Sequence, residues 1–176
     1  MKFSIILAVD GKKWLWKDND LAWRLKTDMQ YFKKTTVVTE NLDKINAVIM
    51  WRKTWESIPG KFRPLDNRIN YVLSRNEQYS DEWCENWTNL DQILENIWLN
   101  KNIEKVFIIW GSHLYNQVLT DSRLERIYLT QLEGDFDCDV FFDWIPNNFE
   151  LLSESEELEE NNIKFQFKVF TKKYYI

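Results

Sequence analysis

The stretch Leu21-Ala22-Trp23-Arg24-Leu25-Lys26-Thr27-Asp28-Met29-Gln30-Tyr31-Phe32 reads as the end of a loop running into an amphipathic helix. Leu25, Met29 and Phe32 follow one another at spacings of four and three residues, which places them on one apolar helix face. Asp28 is flanked by that face. A carboxylate there has two options: it rotates to solvent, where the helix dipole favours it, or it sits at the edge of a hydrophobic cavity. In the second case desolvation raises its pKa, and a hydrogen-bonding ligand can satisfy it.

Outward from this helix, apolar runs and helical patterns alternate. Residues 3–9 are a continuous apolar run, the pattern of a strand buried on both faces. A polar loop, 10–20, leads into the helix. Ala47–Met50 is a second buried strand, 52–58 a short helix, 60–67 a loop by its Gly, Pro and Asn content, and Arg68–Ser74 a third strand. Leu90–Ile97 is helical in pattern, Val106–Ile109 is a fourth buried strand, and a Gly111-Ser112 turn precedes a helix over His113–Leu119. Such alternation predicts an α/β fold with a mainly parallel sheet flanked by helices and ligands at the carboxyl ends of its strands. In the last third, 126–132, 149–153 and 163–171 are strand patterns with no long helix between them. The alternation of Phe165, Phe167 and Val169 predicts an antiparallel strand at the sheet's end. The acidic run Glu154–Glu160 reads as a solvated hairpin flank. The whole of 1–176 is expected to form one domain.

A net charge of −5 and a pI near 5.1, with no basic cluster, argue against a nucleic-acid surface and for a small-molecule partner. No apolar run approaches transmembrane length. Asp10-Gly11-Lys12-Lys13 stands where a signal peptide would place small residues, so the run 3–9 is read as a buried strand of a cytoplasmic protein; a monomer is expected. Cys84 and Cys138 read as free thiols. His113, the single histidine, removes a His-rich metal site and is expected to face solvent.

Six pieces, in order, carry a family resemblance: Leu21-Ala22-Trp23 with Asp28 and Phe32; Val48 to Ile58; Arg63-Pro64-Leu65 with Arg68; Ile108-Ile109-Trp110-Gly111; Tyr128-Leu129-Thr130; and Glu133-Gly134-Asp135. The chain resembles dihydrofolate reductase over essentially its whole length. The resemblance implies NADPH-dependent reduction of 7,8-dihydrofolate to tetrahydrofolate, with hydride passing to pterin C6 and a proton to N5. Asp28 then matches the carboxylate that hydrogen-bonds the pterin, Thr130 the hydroxyl that pairs with it, and Trp23 the indole that helps hold an ordered water. Ile6, Phe32, Ile58, Leu65 and Ile109 match apolar walls around the substrate rings, and Arg68 the guanidinium for the glutamyl carboxylate. Arg52, Ser74 and Arg75 match the 2′-phosphate site of NADPH. Lys53 and Thr54 match one phosphate cradle, Gly111 and Ser112 the second, and Ala8 and Tyr115 the surroundings of the nicotinamide. Two alternatives stay open: a riboflavin-pathway reductase of the same fold, and a non-catalytic folate-binding homologue with an obstructed cofactor cleft.

The departures share a pattern. Ala22 replaces the family's usual proline. Trp16, Trp51 and Trp110 stand where the family carries glycine, and Trp14, Trp83, Trp87, Trp98 and Trp144 lie in loop or turn-like contexts. The chain has 10 Trp and only 4 Gly, where about a dozen glycines are usual at this length. Trp23 and Trp55 match family tryptophans. The expectation is that the other eight are glycine in the native protein, written as tryptophan by translating a UGA codon with the wrong table. The competing expectation is that the indoles are real and partly fill the site.

Overall fold

The apolar runs of the chain become the middle strands of one sheet, because a strand without a polar face is stable only where both faces are covered. The computed structural model describes residues 2–15, 23–109, 112–138, 141–142 and 145–173, with Ser112 and His113 described by backbone only. Its strands are β1 (Phe3–Val9), β2 (Ile45–Trp51), β3 (Arg68–Leu73), β4 (Glu85–Trp87), β5 (Ile103–Ile109), β6 (Leu124–Leu132), β7 (Phe149–Glu154), β8 (Leu158–Glu160) and β9 (Ile163–Lys172). The helices are α1 (Lys26–Val37), α2 (Arg52–Ser57), α3 (Leu90–Leu99) and α4 (Ser112–Val118). Leu21, Ala22, Gly111 and the tryptophans at 16, 110 and 144 lie outside the described residues.

The strand order is β4-β3-β2-β5-β1-β6-β9-β7, with β8 paired to β9. Every pairing from β4 to β6 is parallel, and β9 pairs antiparallel with β6, β7 and β8. The sheet is therefore mainly parallel, as the alternation of strands and helices implies. The strand expected at its end, β9, lies one place inside, with β7 as the edge. The chain leaves β1 for β2 on one side and later passes from β5 to β6 on the other. This reversal is a topological switch point, the place where α/β sheets open a crevice at their carboxyl ends.

Strand alternation divides the core in two. Ile5, Leu7, Ala47 and Ile49 point to one face, where α3 buries Leu90, Ile93, Leu94 and Ile97. Ile6, Val48 and Met50 point to the other, where Phe32 of α1 and Trp55 of α2 cover them. The buried stripe of α1 is Asp28, Phe32 and Thr36, one residue per turn. This corrects the expected apolar face: Leu25 is buried just before the helix, but Met29 is 42% exposed. Burying Asp28 turns its neighbour Met29 by about 100° around the helix, off the stripe. Strands β4 and β8 have three residues each, too few for a period-two pattern to register in sequence. Among the described residues neither Cys84 nor Cys138 forms a disulfide, and no helix is long and apolar enough to cross a membrane.

The described tryptophans sort by burial. Trp23 and Trp55 are 3% and 0% exposed, and the Trp55 indole N–H donates to Asp81 at 2.8 Å. Trp14, Trp51 and Trp87 are half-buried, while Trp83 and Trp98 are 58% and 68% exposed. An indole left in water contributes little burial energy to the fold. Peptide mass spectra of the protein from its source are expected to show tryptophan at Trp23 and Trp55 and glycine in place of Trp83 and Trp98. Tryptophan at all four would contradict the codon reading.

Candidate active site

At the carboxyl end of β1 the parallel register sets Ala8 beside Thr130 of β6. Thr130 is 2% exposed, and its hydroxyl donates to Oδ1 of Asp28 at 2.7 Å. Asp28 sits in the first turn of α1 and is 9% exposed. Burial pushes its carboxyl above the ordinary carboxylate pKa; the Thr130 hydrogen bond opposes that rise, and the nearby charge of Glu160 adds to it. The second of the two options open to Asp28 in the sequence is the one adopted.

The cleft that holds this carboxylate is lined by Ile6, Leu7 and Ala8 of β1, Leu15 of the following loop, Asp28, Met29, Tyr31 and Phe32 of α1, Tyr115 of α4, and Thr130. Its walls are apolar or neutral. Tyr31 stacks on Phe167 at 3.9 Å between ring centroids, and burial pushes its phenol up to about 12. Tyr115 is fully buried and donates its hydroxyl to the Ile6 carbonyl at 2.7 Å, tying α4 to β1. In such surroundings a hydrogen bond to the Asp28 carboxylate is stronger than in water.

Trp23 lies outside the cleft lining, in a cluster with Leu25, Leu132 and Phe165, and meets Phe136 edge-on at 5.4 Å. Its buried Nε1 has no hydrogen-bond partner among the described residues. Ile58, Leu65 and Ile109 pack in one core cluster with Ile6 and Phe32. Arg68 opens β3 and is 8% exposed. Its guanidinium donates to Thr36 Oγ1 at 2.7 Å and to the Asp66 carbonyl at 2.9 Å, and lies 5.7 Å from the Phe32 ring centroid. Burial lowers its pKa to about 10, with Asp66 opposing the fall. Asn70 sets the approach to this arginine, bonding both the N–H and the C=O of Leu65 at 3.1 Å.

The remaining expected residues gather at the carboxyl ends of β2 and β3. Arg52 opens α2, pairs with Glu56 at 3.1 Å and lies 5.5 Å from the Tyr79 ring centroid. Lys53 is exposed and Thr54 half-buried. Ser74 is 2% exposed and accepts the Asn76 N–H at 3.1 Å. Arg75 is exposed, with its guanidinium 5.9 Å from the Trp51 ring centroid. Ser112 begins α4 after β5. Sequence reasoning missed Leu7, Leu15, Met29 and Tyr31. Leu7 is hidden in a uniform apolar run and Leu15 in an irregular loop, while Met29 carried a readable signal, its adjacency to Asp28, that the helical period misassigned to the core.

Chemically, the cleft offers one buried acceptor between apolar walls, suited to a flat heterocycle bearing N–H donors, and a guanidinium on the far side of Phe32 suited to an anion. The family model described as dihydrofolate reductase matches residues 2–172. A dihydrofolate reductase of Drosophila melanogaster is 36% identical, covering 98% of both chains, and one of Heliothis virescens is 35% identical at the same coverage. A bifunctional dihydrofolate reductase-thymidylate synthase of Arabidopsis thaliana is 34% identical over 94% of this chain and 30% of its own length.

A carboxyl whose folded pKa is raised favours the fold while protonated and loses that contribution as pH rises through the folded pKa. Asp28→Asn is therefore expected to raise the melting temperature at neutral pH, with the gain vanishing as pH falls below the ordinary aspartate range. Melting curves across pH check this; a destabilised Asp28→Asn at neutral pH would contradict it.

Proposed function

We propose, from the premise that the chain belongs to the dihydrofolate reductase family and reduces dihydrofolate to tetrahydrofolate, that Asp28 orients the pterin and that NADPH is the hydride donor. The observation that carries the reading is the Asp28–Thr130 pair, a desolvated carboxylate that accepts the Thr130 hydroxyl at the floor of an apolar cleft. Its other lone pairs accept the pterin 2-amino and N3 hydrogens, with Thr130 fixing the carboxylate plane. A carboxylate held there favours protonation of the bound ring, and water is the last carrier of the proton to N5. The unpartnered Trp23 Nε1 suits an ordered water. Ile6, Phe32 and Tyr31 wall the rings and exclude bulk water.

Arg68 receives the glutamyl carboxylate of the substrate. A guanidinium 8% exposed, bonded to a hydroxyl and a carbonyl and with no carboxylate within 4 Å among the described residues, still lacks the anion that burial calls for. For the cofactor, Arg75 and Arg52 with Ser74 form a cationic, hydroxyl-bearing set at adjacent strand ends, which fits the dianionic 2′-phosphate and favours NADPH over NADH. When bound, NADPH supplies the hydride; the chain's own residues bind and orient the ring and favour its protonation.

The test is the dihydrofolate-dependent loss of NADPH absorbance. Arg68→Gln is expected to raise KM for dihydrofolate roughly 10- to 100-fold with kcat little changed, the mark of a lost bidentate contact. Arg75→Gln is expected to raise KM for NADPH more than KM for NADH. Folate binding without turnover by NADPH or NADH would assign the chain to the non-catalytic alternative.

A further inference from the structure

The start of α1 is held from the far end of the chain. Leu25 at its N-cap makes no side-chain cap bond, so the first amide groups need acceptors from elsewhere. Glu160 of β8 provides both: the Lys26 N–H donates to one carboxylate oxygen at 2.6 Å and the Thr27 N–H to the other at 2.9 Å. The Asn161 side chain donates to the Arg24 carbonyl at 3.3 Å, binding the residue just upstream. These amide bonds, with one from the Thr27 side chain, hold Glu160 below the ordinary carboxylate range. It is therefore charged at neutral pH, at the helix end where the dipole favours an anion.

The hairpin that carries Glu160 is joined to the strand that carries Thr130. Glu160 pairs with Ile163 across a turn in which Asn161 and Asn162 take left-handed φ values of 55° and 60°. β9 then pairs with β6, setting Phe167 opposite Thr130. Phe167 stacks on Tyr31 of α1, and Phe165 packs in the cluster of Trp23 and Leu25. One antiparallel unit thus grips α1 at its first turn through Glu160, at its second through Phe167, and at Asp28 itself through Thr130.

We propose that Glu160 is a positioning residue for Asp28: clamped across the first turn of α1, it sets the depth and rotation of the helix so that the Asp28 carboxyl meets Thr130 and the substrate ring. The inference rests on the reading of Asp28 as the pterin-binding carboxylate. Glu160 also acts on Asp28 through charge, which gives its role a readout that a simple cap lacks. Among the described groups facing this region, Lys26 lies beside Glu160 and offsets part of its field, while the phenols of Tyr31 and Tyr128 flank the cleft from α1 and β6. β1 and Leu15 present apolar surface, and Phe167 lies against Tyr31.

The experiment is the pH profile of kcat/KM for dihydrofolate, with melting curves, for the full chain and its Glu160→Gln, Glu160→Ala and Glu157→Gln variants. Glu160→Ala removes cap and charge and is expected to lower kcat/KM on the order of 10-fold or more, as misplacement of a binding group does. Glu160→Gln keeps an acceptor oxygen without the charge and is expected to move the Asp28-dependent midpoint to lower pH. Glu157→Gln removes a charge from the same hairpin, one paired with Lys164 at 2.7 Å, and is expected to move neither. Glu160 variants that alter only the melting temperature, with midpoint and kcat/KM as in the wild type, would overturn the inference. A wild-type midpoint that persists in Asp28→Asn would instead overturn the reading of Asp28, so the two failures are distinct.

Discussion

A carboxylate buried among apolar walls must be given a partner or be protonated, and in this chain that constraint falls on Asp28. Its partner, Thr130, is 102 residues away in sequence. Bringing the two together requires β6 to lie beside β1, although four other strands intervene in sequence, and requires α1 to turn a polar residue toward the sheet. The strand order meets the first requirement and the Asp28-Phe32-Thr36 stripe the second. Thr36 in turn receives Arg68. The two polar members of the stripe thus lie one turn to either side of Phe32, Asp28 in the cleft and Thr36 on the Arg68 guanidinium. One helix face fixes an acceptor at one end and a cation at the other, which is the charge pattern of a ligand with a donor-rich ring and an anionic tail.

The central strands and the mainly parallel order were legible because continuous apolar runs such as 3–9 and 47–50 leave no solvent face. Asp28 was legible only as a choice between solvent and cleft, since the deciding contact comes from a distant strand. Met29 was misplaced because helical periodicity counts apolar residues, whereas the buried stripe begins on a charged one. Glu160 gave no signal at all: within an acidic run it looks solvated, and its role exists only once β8 folds back on β9. Ile58, Leu65 and Ile109 match substrate walls by resemblance, and in the fold they share one hydrophobic cluster with Ile6 and Phe32. Whether a wall residue touches a ligand or backs one that does is decided by packing depth, which sequence spacing does not encode.

The two ends of the site differ in how firmly their residues are built in. Around Asp28 the polar groups are buried and mutually bonded. At the ends of β2 and β3, Arg75 is exposed and rests near an indole, and Arg52 shares its charge with Glu56. Trp51 itself is half-buried, and its enclosed Nε1 meets no hydrogen-bond partner among the described residues; a buried donor left unsatisfied costs about 1–3 kcal/mol. That cost is removed if position 51 is glycine in the native protein. The tryptophan excess and the shape of the cofactor side are then one question, separate from the integrity of the Asp28 cleft.

The site turns on Asp28, a desolvated carboxyl held by Thr130 at the floor of the cleft. The most direct test of this is a carbon-13 NMR titration of the aspartate carboxyls in the ligand-free protein, with the Asp28 resonance assigned by its loss in Asp28→Asn. This resonance is expected to titrate above the ordinary aspartate range, and higher still in Thr130→Val. A resonance that titrates with the solvent-exposed aspartates and ignores Thr130 would contradict it.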